Sequence, residues 1–255
     1  MTQEDKLQQD CPDDREVLET AMEAGHILLE NGAEIFRVEE TMERIAAHYG
    51  VERKDFFVLS NGIFTTGDCE PGQRGGQYAR VQHIPVKSAQ LDRVVAVNQL
   101  SREIEAGSYT LEETRQRLRE IRQMPGEPPW VQMLASGVGS ACFCGLFGGG
   151  AADCAAAFIA GFLLYVFVLW SGKRHMSKIV ANLLGGALVT LSCILLYRLG
   201  LGRDMNHMII GAIIPLVPGV PFTNGIRDIA NGDYISGAVR LLDAILVFLL
   251  SLIHI

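Results

Sequence analysis

The sequence predicts an α+β domain, with helices on a small sheet, followed by an all-α polytopic membrane domain of about five transmembrane helices. Charge is segregated along the chain. Residues 1–130 hold 15 of the 22 basic and 24 of the 29 acidic side chains, whereas residues 131–255 hold only 7 basic and 5 acidic ones. Long apolar runs recur in the second half, at about 131–148, 153–170, 179–197, 207–222 and 238–255. A helix of about 18 residues rises roughly 27 Å, close to the hydrocarbon thickness of a bilayer. The first half instead mixes helical and strand periodicities with turn residues, as a soluble domain of ordinary size does.

Each element has a local reason. Residues 1–12 contain neither a basic n-region nor an apolar h-region, and read as a disordered N-terminus, not a cleaved signal peptide. The α+β domain covers 13–124. Asp13 or Asp14 caps a helix running to about Glu30, where Asn31-Gly32 stops it. A second helix, from about Ala33 to His48, places Ile35, Val38, Met42 and Ile45 on one buried face and ends at Gly50. Strands at Asp55–Ser60 and Ile63–Thr66 flank Asn61-Gly62, a two-residue hairpin signal. After a Gly-rich turn at Pro71–Gly76, Tyr78–Ile84 reads as a third strand. A helix from about Ser88 to Ala106 ends at Gly107, and the capping box Thr110-Leu-Glu-Glu113 opens another to about Gln123. The order ααβββαα predicts helices covering a sheet. Pro125-Gly-Glu-Pro-Pro129 then breaks the chain, so 125–130 is a linker before the membrane domain at 131–255.

Composition excludes several classes. The acidic first half offers no basic patch to neutralise phosphates, which argues against nucleic acid. Cys142, Cys144, Cys154 and Cys193 sit in apolar runs, while Cys11 and Cys69 stand alone. Neither a disulfide framework nor a zinc knuckle follows from that spacing, so no metal or cofactor is expected and the cysteines read as small buried apolar residues. No Gly-x-x-x-x-Gly-Lys-Ser/Thr loop is present for ATP.

Charge also predicts orientation. With the first domain in the cytoplasm, Arg115, Arg117, Arg119, Arg122, Lys173, Arg174, Lys178, Arg227 and Arg240 lie inside, and only Arg198 and Arg203 outside. Trp130 and Trp170 then fall at the inner interface. The protein is expected in the cell (inner) membrane, with its C-terminus on the far side.

The chemistry concentrates in Met208-Ile-Ile-Gly-Ala-Ile-Ile-Pro-Leu-Val-Pro-Gly-Val-Pro-Phe222 and the following Thr223-Asn-Gly-Ile-Arg-Asp228. Pro215, Pro218 and Pro221 each remove a backbone donor and clash with the preceding turn, so a continuous helix cannot run through them. Within a bilayer, freed carbonyls need protein or a wet cavity to receive them, and broken helices beside polar groups build transporter sites. The expected vestibule comprises Pro215, Pro218, Gly219, Pro221, Thr223, Asn224, Arg227 and Asp228, with Arg227 attracting a carboxylate. The bland alternative is a solvated loop in which Arg227 only obeys the charge rule.

Other polar residues carry a functional and a structural reading each. Asp243, one turn into the last apolar run, is a coupling or gating charge, or simply the i, i+3 partner of Arg240. Asp153 follows Gly148-Gly-Gly150 and reads as a helix cap or an outer gate. Asn182, before Gly185-Gly186, reads as packing across a small-residue contact. Ser60 and His83 invite a hydrolase reading, but no Gly-x-Ser-x-Gly elbow surrounds Ser60. Asn31-Gly-Ala-Glu-Ile-Phe-Arg-Val-Glu39 reads as a turn between helices with Glu and Arg exposed.

That last segment resembles a motif of the threonine/serine exporter (ThrE) family, together with Pro215–Asp228 and Gly232-Asp-Tyr-Ile-Ser-Gly237. The resemblance runs from about Val17 to Ile255. Ser140-Ala-Cys-Phe-Cys144, before a Gly-rich stretch and an Asp, is similar to the longer, YjjP-like subunit of split two-protein exporters. The resemblance implies a cytoplasmic domain followed by membrane helices, and export of threonine, serine or a dicarboxylate such as succinate. It also implies a second, smaller membrane subunit as partner, with self-association as the alternative. The positions that match the family's motif are Pro215, Pro218, Gly219, Pro221, Asn224, Arg227 and Asp228.

The function expected from the sequence is therefore a secondary exporter subunit for a small carboxylate-bearing metabolite, in contact with lipid. A membrane-anchored regulatory or scaffold protein with a metabolite-sensing domain is the rival reading. A membrane-tethered hydrolase using Ser60 or His83 is the third.

Overall fold

The computed structural model describes residues 13–68, 77–85, 89–174 and 176–252. The expected disorder over 1–12 and the turn at 71–76 lie outside these residues, as do Cys11, Cys69 and Ser88. Along the chain run α1 (Asp14–Glu30), α2 (Ile35–His48), β1 (Lys54–Leu59), β2 (Gly62–Asp68) and β3 (Gln77–His83). Then come α3 (Leu91–Glu105), α4 (Leu111–Gln123), α5 (Pro129–Leu146), α6 (Ala151–Lys173) and α7 (Lys178–Arg198). α8 (Met205–Ile213), a 3-10 turn (Ile214–Leu216), α9 (Gly219–Ala230) and α10 (Tyr234–Leu252) complete the described chain. These elements form two compact units. One takes the chain up to Pro125 together with Thr223–Leu241, and the other takes Gly126–Phe222 with the residues from Leu242 onward.

In the first unit, Asp13 caps α1 by accepting from Arg15 N at 3.2 Å, and Gly32 ends the turn after it at φ 81°. α1 is apolar on most of its circumference because α2, α3, α4 and β2 all pack on it. Leu18, Met22, Ile27 and Leu28 of α1 join Ile35, Met42 and Ile45 of α2 and Leu118 of α4 in one core. The Thr110–Glu113 capping box forms as expected, with Thr110 N donating to Glu113 Oε2 at 2.8 Å.

The sheet is antiparallel in the order β1-β2-β3. Its first turn differs by one residue from the expected Asn61-Gly62. Leu59 pairs with Gly62, so Ser60-Asn61 make the loop. Gly62 is needed in the central strand instead: a Cβ there would lie 3.1 Å from the carbonyl oxygen of Gln82.

In the second unit, α5 and α6 meet closely. Ser136 Oγ donates to the Gly161 carbonyl at 2.9 Å, and a Cβ on Gly161 would fall 2.0 Å from Ser140 Oγ. Tyr165 OH donates to Gln132 Oε1 at 2.8 Å. Leu164, Val189, Cys193, Met208, Ala212 and Ile213 form the core of α6, α7 and α8. Cys144 and Cys193 are buried as expected, but Cys142 is exposed. Arg174 stacks over Trp170 at 5.7 Å, an amphipathic pair suited to a membrane interface.

Length and hydropathy single out α6 and α7 as membrane crossings, each with mean hydropathy 2.2. Met205–Leu216 and Gly219–Ala230 qualify only together, bent by 60°, as a broken span or a re-entrant loop. That gives two crossings, or three with the bent pair, and the count of five is not confirmed. In α5, Gln132, Ser136, Gly137, Gly139 and Ser140 dilute the apolar run.

Candidate functional site

The proline break falls at Val217-Pro218. Pro215 sits inside the 3-10 turn, where its missing N–H costs nothing. Pro218 supplies the carbonyl that opens α9, accepting from Phe222 N at 3.1 Å. Pro221 lies in the first turn of α9, where backbone N–H groups have no partner within the helix anyway. Thr223, Asn224, Arg227 and Asp228 therefore lie on a helix and not in a solvated loop. Helical spacing turns Asn224, Arg227 and Asp228 to one face, while Thr223 is exposed.

That face meets the turn between α1 and α2, inside the first unit. Glu34 stands at the N-cap of α2, but its side chain caps nothing. The first N–H groups of α2 need an acceptor from elsewhere, and Asp228 provides it: Ile35 N donates to Asp228 Oδ1 at 3.0 Å. The other carboxylate oxygen accepts from Arg240 NH1 at 2.8 Å. Arg240 NH2 donates to the Ala33 carbonyl at 3.0 Å, and Asn224 Nδ2 to the Gly32 carbonyl at 2.7 Å. Arg227 pairs with Glu34, whose second oxygen lies 3.6 Å from Arg37 Nε. Residues separated by 193 positions thus complete each other's hydrogen bonds.

The hairpin of α9 and α10 presents Arg240. Gly232, at φ 97°, turns the chain, and Asp233 N donates back to the Asp228 carbonyl at 2.9 Å. The helices then approach through Gly225 and Gly237: a Cβ on Gly237 would lie 2.7 Å from Gly225 O. This brings Arg240 opposite Asp228. The guanidinium is spent there and on Ala33, in place of the expected i, i+3 pairing with Asp243, which is exposed on α10.

Beside this cluster, Glu39 of α2 accepts from Val58 N at 3.0 Å. Burial raises its pKa, and the charges of Asp233 and Glu43 add to the rise, while the Val58 N–H opposes it. A folded-state value above the unfolded one contributes stability that is complete below the ordinary glutamate range. That contribution is lost as pH rises through the folded value. Glu39→Gln is expected to flatten this decline and to leave the first unit more resistant to unfolding at neutral pH than at present. Amide exchange in α2 and β1, followed from pH 4 to pH 8 in both proteins, measures it.

The remaining residues singled out from the sequence lie elsewhere. Asp153 caps α6, accepting from Gly150 N at 2.9 Å, and also from the backbone N–H groups of Arg203 and Asp204, the latter at 2.9 Å. It therefore ties the turn before α6 to the one after α7. Asn182 is half-buried on α7, one turn before Gly185. Ser60 lies in the hairpin turn, and His83 is exposed on β3.

The family model that matches this chain is ThrE, described as "Putative threonine/serine exporter", over residues 19–253. The chain belongs to the threonine/serine exporter family. Among its relatives in this family is a protein of Klebsiella aerogenes named "Probable succinate transporter subunit YjjP". The two are 24% identical over 92% of this chain and 89% of the relative. The Escherichia coli protein of the same name is 25% identical over 89% of this chain and 87% of its own length. The "Threonine/serine exporter" of Corynebacterium glutamicum is 24% identical over 90% of this chain, which spans 48% of that longer protein. No solved structure matches. With its apolar helices α6 and α7, this family member is a membrane protein.

Sequence reasoning named Asn224, Arg227, Asp228 and Arg240 but missed their partners, Glu34 and the backbone of Gly32, Ala33 and Ile35. One signal was available: α2 starts at Asn31-Gly-Ala-Glu without a side chain suited to cap it, so an acceptor had to come from outside the segment.

Proposed function

We propose that this family member is a subunit of a secondary exporter, which moves a small carboxylate-bearing metabolite out of the cytoplasm. Threonine, serine and a dicarboxylate such as succinate are the candidate solutes, the classes that appear in the names of the relatives above. The observation that carries the reading is Arg227. It stands on α9 directly after the proline break, with its side chain 58% exposed, while the neighbouring Arg240 is withdrawn to 10% against Asp228. A cation held in place yet open to solvent suits a carboxylate in transit.

In this reading Pro215, Pro218, Gly219, Pro221, Thr223 and Asn224 border the pathway, and Asp228 with Arg240 keeps α9 in register. Asp243 is the coupling or gating charge, and Asp153 and Asn182 serve gating or helix packing. The domain at 13–124 is cytoplasmic and the C-terminus lies on the far side. α5 and α10 add two crossings to α6, α7 and the bent pair, supported by exposed Val138 and Phe143 on α5 and Leu242, Leu246 and Leu249 on α10. Such side chains are at rest in lipid and not in water. A second, smaller membrane subunit completes the exporter, as the word "subunit" in the relatives' names suggests.

The test is efflux of labelled threonine, serine and succinate from cells with and without the chain, alone and with a candidate second subunit. Efflux of at least one solute is expected to depend on the chain, and Arg227→Ala to reduce it about tenfold or more, the worth of one charged hydrogen bond. Unchanged efflux of all three solutes in both settings overturns the reading.

A further inference from the structure

We infer that Glu34 is a built-in competitor for the solute's carboxylate at Arg227, and that Arg37 holds Glu34 when the solute displaces it. The inference rests on the reading that Arg227 meets the solute, and it adds two residues and a mechanism of selection. Glu34 places one carboxylate oxygen on Arg227 and the other 3.6 Å from Arg37. Its own side chain is only 14% exposed, whereas those of Arg37 and Arg227 are 48% and 58% exposed. One carboxylate is therefore shared by two guanidinium groups, each with five N–H donors. Spare donors on both face solvent.

The backbone around Glu34 cannot drift away from Arg227. Gly32 is held by Asn224, Ala33 by Arg240, and Ile35 by Asp228. Only the glutamate side chain is free to choose. When a solute carboxylate approaches, it exchanges with Glu34 at Arg227, one carboxylate for another, and Glu34 closes onto Arg37. The charge at Arg227 is neutralised before and after, and neither glutamate oxygen is left without a donor. An uncharged solute cannot make this exchange, because Glu34 already satisfies the arginine. The arrangement thus selects for small carboxylates and sets how tightly they bind.

Equilibrium binding of labelled succinate and labelled threonine to the purified full chain in detergent tests this. Glu34→Gln removes the competing charge and is expected to tighten binding of at least one probe by about three- to fivefold, near the upper limit for one partly exposed ion pair. Arg37→Gln is expected to act in the opposite direction, weakening binding about twofold, because Glu34 then has only Arg227 to pair with. Should the first variant be recovered poorly, the second carries the test. Equal or weaker affinity of Glu34→Gln for both probes overturns the inference, as does an absence of binding by either protein. Tightened binding by Glu34→Gln with no chain-dependent efflux keeps the competition but removes the export reading. Efflux with unaltered affinity does the reverse.

Discussion

Replacing Arg240 with alanine is expected to cost about 3–5 kcal/mol of local stability, the price of leaving a buried charge without its partner. Asp228 is fully buried, and among the described residues its only ion pair is with Arg240 at 2.8 Å. Without the guanidinium, Asp228 keeps the Ile35 N–H but loses its counter-charge, and the Ala33 carbonyl loses its donor. The first turn of α2 is then held less firmly. Hydrogen exchange at the amides of Ile35 to Val38 is the appropriate measurement. Both tryptophans, Trp130 and Trp170, belong to the other unit, so their fluorescence does not follow this change, and two units need not unfold in one step. Replacing the pair together, as Asp228→Leu with Arg240→Met, is expected to recover most of the loss, since a buried ion pair contributes little beyond an apolar pair of similar volume. A double variant as unstable as Arg240→Ala alone would instead assign the stability to the hydrogen bond from Ile35.

Gly237→Val is expected to have an effect of similar order, about 3 kcal/mol, by a different route. A Cβ at 237 would sit 2.7 Å from Gly225 O and 2.9 Å from Ile229 N. Both are backbone atoms, so nothing can swing aside and the helices of the α9–α10 hairpin must separate. Separation also draws Arg240 away from Asp228, so the two defects share one cause. Combined with Arg240→Ala, the loss should fall well short of the sum of the two single losses. Full additivity, measured by the same amide exchange, would show that the glycine contact and the ion pair act independently.

Much of the first unit was legible in the sequence because its signals are local. Asp13, Gly32 and the Thr110–Glu113 box act within one turn of the helix ends they define, and the ααβββαα order follows from them. The hairpin moved by one residue because Gly62 is chosen by its approach to Gln82 on β3, a strand that a local turn rule does not see. In the second unit, α6 and α7 were evident from hydropathy, which depends on composition alone. The count of crossings was less so, since glycine and serine serve helix packing and dilute the very signal used for counting.

By itself the sequence determined the class of the molecule: an acidic α+β unit, apolar helices after it, a backbone broken somewhere between Pro215 and Pro221, and membership of an exporter family. These follow from composition, periodicity and the covalent limits of proline, which act over a few residues. Only the tertiary structure decided what the charged residues do. Asp228 could equally have faced a solute, a loop or a helix end, until folding placed the uncapped start of α2 within 3.0 Å of it. Partnership between buried charges depends on which groups meet after burial, and beyond the uncapped start of α2, segments 193 residues apart carry no sign of which partner each will find.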